Sequence, residues 1–69
     1  MADAAKLLKS PRVKNLFNDI VAAKRRKMPC GDVRVAIQLR AAGLIRFTGK
    51  RQDVTTAWSV TEIGNLYVD

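Results

Sequence analysis

The chain has 69 residues, 13 Lys and Arg against 6 Asp and Glu, and a formal net charge of +7, with a pI near 10.4; that is one domain, 1–69, with an expected acidic partner: nucleic acid, an anionic membrane surface or an acidic protein. An apolar share of 48% suits a globular core and is too high for a disordered basic tail. A single cysteine and no histidine exclude an intrachain disulfide, a zinc-holding cysteine cluster and a Cys–His nucleophile, and no apolar run approaches the roughly 18 residues needed to span a bilayer.

Residues 2–9 (ADAAKLLK) have helix-forming composition but are too short to form a stable helix alone; one or two turns are expected, with Leu7 and Leu8 toward the core. Ser10-Pro11 is a start signal, since serine suits the N-cap and proline the first helical position. Val13, Leu16, Phe17, Ile20 and Val21 then recur at helical spacing, and Lys14, Asn15, Asn18 and Asp19 fill the opposite face. This helix is expected over 11–27, because Pro29 disfavours helix at Met28. Cys30-Gly31-Asp32 reads as a turn, with Asp32 as N-cap of a second helix over 33–42. Gly43 stands where a left-handed cap glycine belongs.

Residues 44–48 read as a strand with Ile45 and Phe47 on one face. Residues 49–53 (GKRQD) form the loop of a hairpin, and 54–60 return as a second strand rich in Val, Thr and Trp. Alternation places Val54, Thr56, Trp58 and Val60 on one face, stacked on Ile45 and Phe47 beneath the helices. Thr61 is expected to cap a last turn through Gly64, leaving Leu66, Tyr67 and Val68 as an apolar tail. The fold class expected is α+β, two to three helices followed by a two-stranded hairpin.

Three basic features carry candidate chemistry. On the 33–42 helix, Arg34, Gln38 and Ala41 share a stripe opposite Leu39, Ala36 and Val35. Arginine and glutamine are residue types that read base edges in a major groove, and a neighbouring alanine permits close approach; the same stripe is also what an ordinary solvated helix face looks like. Arg40 falls between Ala36 and Leu44 on the wheel and must snorkel or pair. The hairpin carries Arg46, Lys50 and Arg51, placed to reach phosphates or a minor groove, or to keep a small sheet edge soluble. Lys24-Arg25-Arg26-Lys27 suits a helix C-terminus, and four cations in a row exceed what a dipole needs, which makes the run a phosphate-contact candidate. Trp58, Phe47 and Tyr67 are read as core residues rather than base-stacking platforms.

The run Leu39-Arg-Ala-Ala-Gly43-Leu44-Ile45, a basic loop, and then Trp58-Ser-Val-Thr61-Glu62-Ile-Gly64 resembles the second half of a winged helix-turn-helix domain of the small prokaryotic, archaeal or phage type. The resemblance covers about half of the chain. It implies a recognition helix with Arg34 and Gln38 in the major groove, and a wing whose Lys50 and Arg51 touch backbone or minor groove. The N-terminal half departs from the usual pattern of two helices before the recognition helix. The long C-terminal helix through which many such regulators dimerise is also missing, so both monomer and homodimer stay open.

The leading expectation is a small cytoplasmic DNA-binding protein acting on transcription through double-stranded DNA, with Arg25, Arg26, Lys27, Arg34, Gln38, Arg46, Lys50 and Arg51 as contact residues. The alternative is a phage-type winged-helix adaptor or inhibitor whose basic surface captures an acidic host protein. RNA binding is weaker for want of an exposed aromatic platform. No enzyme is expected: there is no histidine, one glutamate, no glycine-rich phosphate loop and no carboxylate pair, and nothing in the chain asks for a cofactor or metal. A membrane-surface role would use the apolar face of 11–27 that so short a domain needs for its core. With Met1 at its start and no signal-peptide layout, the chain is expected to be a complete small protein.

Overall fold

The computed structural model describes residues 4–68, so the expectation for residues 2–9 is met from Ala4 onward and its first two residues lie outside the described part. In chain order the elements are α1 (Ala4–Leu7), α2 (Pro11–Val21), α3 (Cys30–Ala41), β1 (Ile45–Phe47), β2 (Trp58–Val60) and α4 (Glu62–Asn65), with a 3-10 turn at Thr55–Ala57 ahead of β2. The result is a small α+β domain with four α-helices and a two-stranded antiparallel sheet among the described residues.

Helix α2 starts where Ser10-Pro11 requires, with proline in its first turn. Its buried residues are Val13, Leu16, Phe17 and Ile20, the face anticipated from spacing. It packs against α3 and β2, while α3 packs against β1. Ala36, Leu39 and Leu44 are wholly buried, and Ile45, Trp58 and Met28 nearly so, which joins the helices and the sheet in one core. Each large aliphatic side chain buried there contributes about 1.5–3 kcal/mol.

The expected end of α2 near Lys27 is wrong. The helix stops at Val21, and Ala23 takes φ 56°. The Ala23 amide donates to the Ile20 carbonyl at 3.1 Å and the Lys24 amide to Asp19 at 3.1 Å, the two bonds of a Schellman cap. The chain turns out here because residues 24–28 have partners elsewhere. Lys27 pairs antiparallel with Val54, and the Met28 amide donates to the Asp53 carbonyl at 2.6 Å. The basic run is therefore an extended segment beside the hairpin, not the last turn of a helix.

Helix α3 begins two residues before Asp32, which was expected to be its N-cap; the residue at that cap is Pro29, and Asp32 sits in the first turn, favourably placed for the helix dipole. Its C-terminus follows the expectation. Gly43 at φ 82° sends its amide to Arg40 and the Leu44 amide reaches Leu39 at 3.0 Å, again a Schellman cap.

The sheet register is Ile45↔Val60, Arg46↔Ser59 and Phe47↔Trp58. The Phe47 and Trp58 rings stand 5.1 Å apart, tilted by 59°, a favourable aromatic geometry. The second strand is shorter than expected: 54–60 contains only Trp58–Val60 as strand. The 3-10 turn before it inverts the anticipated alternation, so Thr55 is buried at 1% exposure and Thr56 faces solvent. Thr61 caps α4 as anticipated, its Oγ1 accepting from the Gly64 amide at 3.0 Å and donating to the Gly43 carbonyl at 2.5 Å. A Cβ at position 64 would collide with the Leu44 carbonyl oxygen and lie 2.7 Å from Val60 Cγ2, which explains the glycine that closes the Thr-Glu-x-Gly signature. Tyr67, expected in the core, is instead exposed, as are Leu66 and Val68: all three follow the end of α4 and none joins the core cluster.

Candidate nucleic-acid interface

Two segments distant in sequence build a strongly basic surface. Residues 24–28 leave α2 as an extended strand-like piece, and 53–55 return from the hairpin loop alongside it. Thr55 fastens them. Its amide donates to the Arg26 carbonyl at 3.1 Å, its hydroxyl oxygen accepts from the Arg26 amide at 3.0 Å, and its hydroxyl donates to the Lys24 carbonyl. At the same end of the loop, Trp58 Nε1–H donates to the Gln52 carbonyl at 3.1 Å. At its other end the Gly49 amide donates to the carbonyl of buried Ala57 at 2.9 Å, so both ends of the basic loop are tied to buried residues.

This pairing puts Arg25 beside Lys50 and Arg51 in one concavity, and Arg25, Arg26, Lys27 and Arg51 around an adjoining one. Four cations from two sequence regions line a shared hollow. Among the described residues Arg25 and Lys50 have no hydrogen-bond or ion-pair partner. Arg51 does: its Nε and Nη2 donate to the two oxygens of Asp53 at 3.1 and 2.9 Å. Those hydrogen bonds above all lower the Asp53 carboxyl from its ordinary value, with Lys27 adding a smaller attraction.

Arg26 has a different place. Its Nε donates to Asp19 Oδ2 at 3.0 Å and its Nη1 to Asp32 Oδ2 at 3.1 Å. Arg12 approaches the other Asp32 oxygen at 3.7 Å. The Asp19 hydrogen bond, partly opposed by burial, raises the Arg26 guanidinium further above its already high range. Arg26 thus clamps α2 to the first turn of α3 and presents little free charge.

Arg34 and Gln38 are exposed along α3, as is Ala41, while Ala36 and Leu39 face the core. Arg40 is exposed as well. Arg46 projects from β1 opposite Ser59 and lines a separate concavity with Val60, Thr61, Glu62 and Asn65; a glutamate shares that hollow. The expected contact residues therefore form three groups: the loop-and-connector cluster, the α3 face, and Arg46 apart from the first.

Two participants escape a reading for basic residues. Asp53 occupies Arg51, a pairing suggested only by their spacing of two. Ile37 stands on the exposed face of α3 at 46% exposure; at about 100° per residue it lies about 60° from Arg34, so the wheel does contain the signal. Cys30 is exposed at the start of α3. Among the described residues no group of three or more His, Cys, Asp and Glu could hold a metal ion, and no helix is long and apolar enough to cross a membrane. No protein-family model, curated protein or solved structure matches the chain.

Proposed function

We propose that this chain is a small winged-helix DNA-binding protein that acts on transcription. The observation that carries the reading is the convergence of Arg25, Lys27, Lys50 and Arg51 on two adjoining hollows that share Arg25 and Arg51, from a connector and a hairpin tip that nothing in the core requires to be basic. In this reading α3 enters the major groove, with Arg34 forking onto guanine and Gln38 onto adenine. The hairpin loop serves as the wing, and it and the connector take phosphates. Arg26 positions α3 through Asp32 rather than touching DNA. Arg46, beside Glu62, contributes least.

Fluorescence anisotropy on random and genomic duplexes across a salt series tests this. The logarithm of affinity is expected to fall by about 0.9 per phosphate neutralised for each unit of log salt. Arg25→Ala with Lys50→Ala should weaken all duplexes alike, and Arg34→Ala should flatten sequence preference. Negligible duplex binding near 150 mM salt sinks the reading, because non-specific binding alone reaches about 10⁻⁴–10⁻⁶ M under such conditions.

One observation favours a second reading, the protein-binding adaptor. Leu66, Tyr67 and Val68 are exposed along a groove that also involves Leu8 and Phe17, with Lys9 and Lys14 on its lining, a largely apolar surface that the duplex-binding reading does not use. Saturable capture of a protein partner without duplex affinity would select it.

A further inference from the structure

Helix α3 carries one large aliphatic side chain that the fold does not use. Val33 and Val35 are packed against the core, and Ala36 and Leu39 are wholly inside it; Ile37 takes no part in that cluster and is 46% exposed. A β-branched residue on an exposed helix position lowers helix propensity relative to alanine, so neither burial nor helix formation accounts for it. Its neighbours on the face are Arg34 one turn before and Arg40 and Ala41 one turn after, with Gln38 about 100° round the helix. Neither Arg34 nor Gln38 has a side-chain partner among the described residues.

We infer, resting on the DNA-binding reading above, that Ile37 packs on the 5-methyl group of a thymine and makes the preferred site thymine-containing duplex DNA. In the major groove that methyl is the one apolar group a base pair offers, and it separates T·A from every other pair. A β-branched side chain has essentially one χ1 rotamer in a helix, so it presents a fixed apolar surface. The face from position 34 to position 41 rises about 10 Å at about 1.5 Å per residue, roughly three base steps of about 3.4 Å. The stripe therefore reads a short run of adjacent pairs: a guanine at Arg34, an adenine at Gln38 and a thymine methyl at Ile37.

The test uses the whole chain and the duplex it selects from a random pool. Each thymine is replaced in turn by deoxyuridine, which lacks only the 5-methyl group. At one position the wild-type chain should lose about three- to fivefold in affinity, the size expected for one methyl group moved out of apolar contact. Ile37→Ala, which removes no core contact, should weaken binding to the thymine duplex by a similar factor and be indifferent to deoxyuridine at that position. Sequence-selective binding with no effect of deoxyuridine at any position overturns the inference and leaves the DNA reading standing, as does an Ile37→Ala chain that keeps the deoxyuridine sensitivity. A chain that binds duplexes without selectivity also overturns it. Absence of duplex binding in the salt series removes both readings at once.

Discussion

Arg26 and Thr55 are joined twice: the Thr55 amide donates to the Arg26 carbonyl at 3.1 Å, and the Arg26 amide donates back to Thr55 Oγ1 at 3.0 Å. The same hydroxyl donates to the Lys24 carbonyl, so one buried side chain satisfies two backbone groups of the basic run. Thr55→Val keeps the shape and removes both bonds, leaving a donor and an acceptor unpaired at about 1–3 kcal/mol. For a domain of this size, whose single core rarely supplies more than about 3–5 kcal/mol, that is a large share. Urea unfolding should show this loss for Thr55→Val and a much smaller one for Thr55→Ser, which keeps the hydroxyl. Equal stability of the valine variant and wild type would mean that the seam is not closed by this side chain.

Ala23 holds a left-handed conformation, φ 56°, that costs a residue with a Cβ about 1–2 kcal/mol. Glycine adopts it freely. Ala23→Gly is therefore expected to stabilise the chain by about 1 kcal/mol and raise the melting temperature by about 4–8 °C. A lower melting temperature would show that α2 does not end as described.

The two adjacent arginines separate stability from binding. Arg26→Ala breaks charge-assisted bonds to Asp19 and Asp32 and, after allowance for its partial exposure, should cost about 1–2 kcal/mol in denaturant unfolding. Arg25→Ala should stay within about 0.5 kcal/mol of wild type, as surface substitutions do, yet lower duplex affinity. The reverse pattern would exchange the roles assigned to the pair.

If the hairpin loop takes phosphates as proposed, Asp53 competes with them for Arg51, whose guanidinium it holds through two hydrogen bonds. Asp53→Asn releases the guanidinium while the backbone carbonyl still receives the Met28 amide. Duplex affinity at low salt should rise, and the slope of log affinity against log salt should steepen by about 0.9, one extra phosphate contact. An unchanged slope would show that Arg51 makes no such contact. The pH dependence has a definite sign. A carboxyl whose folded pKa is lowered contributes stability above its unfolded pKa and loses it as pH falls through the folded value. The Arg51–Asp53 pair should therefore persist to a lower pH than an unpaired aspartate would; carboxyl NMR titration of Asp53 with a midpoint at or above that of an unpaired aspartate would contradict this.

What could be read from the sequence was local. Pro11, Gly43 and Thr61 mark element ends through their own backbone chemistry, and the core face of α2 follows from a 3.6-residue period. The strand pair around Ile45 and Trp58 follows from a two-residue period. The misjudged features are set from afar. Nothing in Ala22-Ala23-Lys24 announces a helix end; α2 stops because 24–28 pair with residues near 54, some 30 positions away. Thr55 looked like one of several strand threonines, and its burial comes from the 3-10 turn that the same pairing imposes. In the candidate site, the exposure of Arg34 and Gln38 was legible from the wheel. The diversion of Arg26 into a carboxylate clamp was not, because it depends on how α2 meets α3.

The hollow lined by Arg25, Lys50 and Arg51 exists only once residues 24–28 and 53–55 have come together. An unfolded chain has the same +7 charge without that arrangement. A ligand that requires the hollow is thus a ligand of the native state, and at a hundredfold excess over its dissociation constant it adds about 2.7 kcal/mol to folding. On so small a core this rivals the stability of the chain itself. The occupied protein would outlast the empty one under heat or protease, and the supply of ligand would help set how much folded chain is present.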